Sequence, residues 1–425
     1  MKKKAAALAV GALFAAPAAH AQITLGNETI GTVQVYGKVY PQYSQASGHD
    51  STQGGSGVST LVGTTNAAGV TTLAGGAVAD HLARNSVDVG NSYIGFRGER
   101  ALGGTGLKGI WQLEQSTNFD TGTGTFASRN SFAGLSHKTM GTVKLGNMDS
   151  IYKEYGDLMQ MFGVASGNFI SASNVLSHIG VGSNNNARFH ERYTNTVQYQ
   201  TAEFGGIQAG LQYMPDETKG NPGNNLNKHI WSYGVKYDSQ MFYVSLHQEQ
   251  KWDFLGYSSQ ATGATAPTGA ISNSLTTSHS RDMATRLSTE FRFLGSQRIV
   301  LDISRLHYYE YGSQTRNGQF QEYKKPTFAL GYDGGFGAWR FATEYVRAGA
   351  GTCQLTGGVD CSTTGLQSWL WTVGGRYRFD RQTFVYLIAA KLSNGASAAM
   401  SNNTSFTANR GEDTKQIALG VSYSF

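Results

Sequence analysis

The last ten residues, QIALGVSYSF, alternate strictly. Ile417, Leu419, Val421, Tyr423 and Phe425 are apolar or aromatic, while Ala418, Gly420, Ser422 and Ser424 between them are small or polar. Period two places the greasy side chains on one face of a β-strand. A strand in that position must be paired on both sides or it presents an open edge of unsatisfied backbone groups. The same alternation recurs near 32–44, 87–99, 107–117, 128–138, 141–148, 190–203, 206–214 and 229–238. It continues near 240–252, 282–294, 297–310, 323–333, 336–347, 367–379, 382–393 and 412–425, sixteen segments in all.

The connections fall into two kinds. Short ones are turn-like and often Gly-rich, such as LGGTG at 102–106, DSQ at 238–240 and DGG at 333–335. Long ones are polar, at 45–86, 149–189, 253–281, 348–366 and 394–411. The faces are equally regular: Trp231, Tyr233, Val235 and Tyr237 oppose Ser232, Gly234 and Lys236, and Met283, Leu287, Phe291 and Phe293 oppose Arg286, Ser288, Glu290 and Arg292. A sixteen-strand cylinder is too wide for side chains to fill, so its charges face a wet interior and its aromatics face lipid. The fold class expected is therefore all-β, a transmembrane antiparallel β-barrel with short periplasmic turns and long extracellular loops. Pairing of the last strand with VQVYGKVYPQYS at 33–44 would abolish the edge and set Phe425 in an interfacial aromatic girdle.

Composition excludes other classes. Aromatic residues make up 12%, with 22 Tyr and 21 Phe beside 55 Gly, too aromatic for a disordered chain. MKKKAAALAVGALFAAPAAHA reads as a secretory signal peptide, residues 1–21, leaving 22–425 as one barrel domain that starts at Gln22. Discounting Lys2, Lys3 and Lys4, the formal charge falls from +6 to +3, which gives no reason to invoke nucleic acid. The histidines are scattered, and none falls in a catalytic or metal-binding motif, so no enzyme chemistry, cofactor or metal is expected. GTGLKG at 104–109 satisfies a dinucleotide-loop pattern formally, but a strand follows it where that motif requires a helix. Cys353 and Cys361 stand alone in one long loop, and export to an oxidising compartment favours a disulfide over a metal site.

Several stretches resemble the general porins of Gram-negative bacteria of the β-proteobacterial type. They are VYGKVY near the start, SYIGFRGERALGGTGLKGIWQLE at 92–114, SRNSFAGLSHKTMGTVKLGNMDS at 128–150 and RYTNTVQYQTAEFGGIQAGLQY at 192–213. The resemblance implies an outer-membrane, homotrimeric diffusion channel for ions and small hydrophilic solutes. It also implies that the third long loop, within 149–189, folds into the lumen as a constriction. Acids on that loop, Glu154 and Asp157, would face bases on the wall, and charged rings of this kind set ionic preference. Arg129, Arg188, Arg192 and Lys38 are the candidate bases. Tyr93 and Asn130 stand where anion-selective members place arginines, so the eyelet expected here is less basic and more aromatic. A second reading is a substrate-specific channel for sugars or for aromatic and organic acids, with Tyr93, Tyr36, Tyr40 and the Met159–Phe162 region as a stacking track. A third is a barrel for adhesion or anchoring that acts through the loops at 45–86 and 253–281.

Overall fold

The computed structural model describes residues 23–27, 31–53, 57–59, 70–72, 79–181, 188–221, 225–254, 278–312, 320–402 and 405–425. The leader expected at 1–21 and much of the loops at 45–86 and 253–281 lie outside the described residues.

Sixteen antiparallel wall strands close into a cylinder. The first, β1, has two arms, Gly31–Val39 and Gln42–His49, and β2 likewise runs Arg84–Asp88 and Tyr93–Ala101. There follow β3 (Leu107–Ser116), β4 (Ser131–His137), β5 (Gly141–Asp149), β6 (Arg192–Gln200), β7 (Ile207–Met214) and β8 (His229–Asp238). Next come β9 (Phe242–Trp252), β10 (Ser278–Phe293), β11 (Gln297–Gly312) and β12 (Phe320–Phe336). The circuit ends with β13 (Trp339–Ala348), β14 (Ser368–Arg378), β15 (Thr383–Asn394) and β16 (Asp413–Ser424). Each of the sixteen expected segments corresponds to one of these strands, with ends moved by a few residues.

The break in β1 has a covalent cause. Pro41 has no N–H to give the ladder, and at this point the partner on β2 changes from one arm to the other. The Tyr40 amide goes instead to Ser92 Oγ at 2.8 Å, and the Pro41 carbonyl accepts from Val421 N–H at 3.1 Å. Pro326 in β12 marks a similar change. Below it β12 pairs with β13, and above it with a short hairpin, Thr352–Leu355 and Val359–Cys361, inside the loop at 348–366. That hairpin, which alternation alone did not reveal, makes Cys353 and Cys361 direct cross-strand partners, disulfide-bonded with Cα atoms 5.1 Å apart.

Burial alternates as an inside-out barrel requires. In β16 Ile417, Leu419, Val421 and Tyr423 are exposed, and Gln416, Ala418, Gly420 and Ser422 are buried. With the outer side facing hydrocarbon, each backbone N–H and C=O there must find its partner within the sheet. The seam between β16 and β1 supplies these bonds. Asp413 to Gly420 pair with the upper arm of β1, and Tyr423 and Ser424 pair with Val39 and Lys38. Phe425 completes the seam by exchanging two backbone bonds with Gly37, at 2.8 and 3.0 Å. Its ring fills the space that Gly37 leaves, since a Cβ there would lie 2.5 Å from Phe425 Cζ and 2.7 Å from the Tyr93 carbonyl oxygen.

Two outcomes follow. Gly37→Ala pushes the terminal ring off the seam and destabilises the barrel by about 1–3 kcal/mol, as overpacking does; a lowered temperature midpoint for loss of the heat-modifiable band on electrophoresis reads this out. Replacing both Cys353 and Cys361 with Ser leaves that midpoint in place while protease cuts within 349–366 become faster. The disulfide closes a short ring, worth roughly 2–3 kcal/mol to the loop alone.

Candidate functional site

The segment joining β5 to β6 turns back into the cylinder. Ser150 caps its first helix, α1 (Ile151–Gly156), by accepting the Lys153 amide on Oγ at 3.1 Å. Ile151, Tyr152 and Tyr155 on α1 are buried against the wall, and Tyr152 Oη lies 3.1 Å from Ser304 Oγ. Wall side chains then hold the loop by its carbonyls. Arg286 donates to Gly156 O at 2.7 Å, Arg298 to Leu158 O at 3.0 Å, Lys325 to Ile179 O at 3.0 Å and Lys38 to Gly163 O at 2.9 Å. Arg286 and Arg298 are themselves oriented by Asp302 and Asp333.

Between these bonds the contact is apolar. Met159, Met161, Phe162, Val164, Phe169, Ile170, Val175 and Leu176 are buried against Val300, Ala329, Val346, Leu370, Ile388 and Leu392, which are inward residues of β11 to β15. A Cβ on Gly374 would lie 2.6 Å from Phe162 Cε2, so that wall position is empty to admit the ring. Half of the inner wall is thus covered. Met159, Met161 and Phe162 anchor the loop, and Tyr40 is 1% exposed, stacked on Tyr386 at 4.7 Å between centroids. None of these four can serve as a stacking surface for solute.

The uncovered half of the lumen holds a cavity of about 800 Å³. Lys38, Tyr93, Arg129, Asp157, Arg188 and Arg192 line it, as six of the eight eyelet candidates. Glu154 does not; it accepts two bonds from Gln200 Nε2 at 2.8 Å on the wall of β6. Asn130 works behind the lining. Its Nδ2 donates to Asp149 Oδ2 at 3.0 Å and its Oδ1 accepts from Arg192 Nε at 2.8 Å, which fixes both charges.

Seven lysine and arginine side chains and four acidic ones line the cavity. Every acid is already engaged. Glu114 pairs with Arg129 and accepts from Tyr36 Oη at 3.1 Å. Asp149 holds Lys153 and Arg192, both at 3.0 Å. Glu191 pairs with Arg188 and with Lys251 at 3.3 Å, and Asp157 meets His190 Nε2 at 2.6 Å. Lys38, Arg97 and Arg376 make no ion pair among the described residues. Burial, with Arg188 nearby, pushes His178 down to about 3, so this lining residue stays neutral.

Sequence reasoning missed Glu114, Asp149, Lys153, His190, Glu191 and Arg376 as lining residues. For Asp149 and Lys153 a signal was present: they straddle the Ser150 cap at i and i+4, so one turn of helix brings them together. Arg376 was legible only as an inward position of its strand.

Relatives of the chain are consistent with this architecture. It is similar to the major outer membrane protein P.IB of Neisseria lactamica, 32% identical over 155 residues, 36% of this chain and 40% of the relative. The chain therefore spans about two fifths of the length of that relative. Among solved structures it is similar to the anion-selective porin from Comamonas acidovorans, with a TM-score of 0.62 and 20% identity, covering 93% of this chain and 100% of the other. It is also similar to OmpT of Vibrio cholerae in its trimer form, with a TM-score of 0.60 and 13% identity, covering 93% and 99%. At these identities the two solved structures speak for the fold. The Gram-negative porin family profile matches residues 5–397, nearly the whole chain, and with the closed barrel and its inside-out faces this places the chain in that family, in the outer membrane.

Proposed function

We propose that the chain forms a water-filled passive diffusion channel for ions and small hydrophilic solutes, and that three copies assemble as a homotrimer. The segment within 149–189 narrows the bore, and solutes below its cross-section move down their gradients without catalysis or energy coupling. One observation supports the reading: an inward-facing cavity whose four acids are all engaged while Lys38, Arg97 and Arg376 have no carboxylate partner among the described residues. The potential along such a path is positive, so the channel favours anions. Asp157 and the wall bases provide the transverse field that orients dipolar solutes, with Asn130 holding Arg192 in place. Trimerisation covers part of the lipid-facing wall around the first and last strands.

Reversal potentials across a KCl gradient in planar bilayers test this. Chloride is expected to be more permeant than potassium. A unit charge about 7 Å from the ion path in water is worth about 0.6 kcal/mol, roughly a factor of three in local concentration. Lys38→Gln and Arg97→Gln should each lower the chloride-to-potassium ratio by a factor of that order, and Asp157→Asn should raise it. Equal ratios in all three variants would remove these residues from the ion path. A purified, folded protein that gives no conductance steps would favour the adhesion reading. For the assembly, native mass spectrometry in detergent should give three chains per particle.

A further inference from the structure

We infer that the uncovered lumenal wall is a binding track for planar aromatic monocarboxylates, with benzoate as the simplest member. The inference rests on the channel reading above and names a solute class for the same lumen. Its basis is that the bases of this wall rest on rings. Arg97 Cζ lies 4.9 Å from the Tyr36 ring centroid, Arg129 Cζ 4.8 Å from that of Tyr93 and Arg376 Cζ 4.7 Å from that of Phe384. Lys38 Nζ lies 5.6 Å from the Tyr93 centroid, so that ring is shared by two cations. All seven residues line the one cavity.

A filter acting on small inorganic anions needs charge alone, and a hydrated, mobile lysine or arginine supplies it. A ring behind each cation does something more. It strips water from one face of the charge and holds a guanidinium plane in a fixed pose, leaving the opposite face and the fork edge to the lumen. Among the described residues Arg97 and Lys38 donate to neutral oxygens, Gln34 Oε1 at 2.9 Å and Gly163 O at 2.9 Å. Such acceptors position a cation without cancelling its charge, so the site awaits an external carboxylate. An aromatic acid satisfies both halves at once: its carboxylate takes the fork of Arg97, while its ring packs on the Arg129 or Arg376 guanidinium in the pose that Tyr93 or Phe384 imposes on it. A sugar fits poorly, because sugars need bare ring faces and here the faces carry cations. Aliphatic acids use the charge and forgo the stack. Of the stacking track in the substrate-specific reading, Tyr36 and Tyr93 line the cavity, while Tyr40, Met159, Met161 and Phe162 are buried.

The test compares three probes as blockers of chloride current through reconstituted protein: benzoate, cyclohexanecarboxylate of equal charge and similar size, and neutral benzamide. Each half-blocking concentration is normalised to the variant's own chloride current. Wild type should be blocked by benzoate at a concentration roughly two- to fivefold below that for cyclohexanecarboxylate, the factor a cation–π contact supplies, with benzamide without effect. Arg97→Gln should raise the half-blocking concentration of both acids. Tyr93→Leu combined with Phe384→Leu should bring the ratio of the two acids to one, and Tyr93→Phe, which keeps the ring, should retain it. Equal block by the two acids in wild type, or a preference that survives loss of both rings, overturns the inference while chloride current continues. Loss of chloride steps in wild type instead overturns the channel reading beneath it.

Discussion

A hydrocarbon layer offers no partner to a peptide N–H or C=O, and that single deficit organises this molecule. Every spanning strand must bond to two neighbours, so the sheet has to meet itself, and the meeting point is the seam between β16 and β1. Pro41, without an N–H, interrupts the seam strand, and Ser92 Oγ accepts the neighbouring Tyr40 amide from the side. Gly37 has no side chain because the ring of Phe425 occupies that place. Phe425 is thus part of the closure.

Closing the sheet fixes the inner surface as well. Sixteen strands enclose more volume than their own side chains fill, and the protein uses the surplus in two ways. On one side the β5–β6 connection is laid against the wall, pinned at its carbonyls by Arg286, Arg298, Lys325 and Lys38 and sealed by apolar contacts. On the other side charged and aromatic side chains meet water. The two halves follow opposite rules of burial within one lumen, and the loop is what separates them.

Much of this was legible in the sequence because period-two alternation and connection length are local. They placed all sixteen strands, while the entry of the 149–189 loop into the barrel came from the family resemblance. Lys38, Tyr93, Arg129, Asp157, Arg188 and Arg192, named through the family resemblance and its expected loop position, do line the cavity. What was not legible depends on contacts between distant segments. Glu154 and Asp157 are three residues apart in one loop, yet Glu154 sits on α1 and reaches Gln200, while Asp157 is the cap where the chain leaves helical geometry and faces His190. Asn130 looked like a substituted lining residue and is instead the brace behind Arg192. The inward Val300, Val346, Leu370 and Ile388 contradict a wet interior until the loop that covers them is in place. The hairpin carrying Cys353 and Cys361 hid in a polar loop too short for alternation to register.

The greasy underside of the inserted segment has a mechanical consequence. Eight of its buried apolar side chains would be wetted if it swung away, along with the patch of wall beneath them. At roughly 1.5–3 kcal/mol per side chain, discounted for the compactness of real unfolded chains, lifting it costs on the order of 10 kcal/mol. Thermal motion visits such a state about once in ten million configurations. The segment is therefore a fixed lining of the bore, set down during folding rather than hinged to swing open.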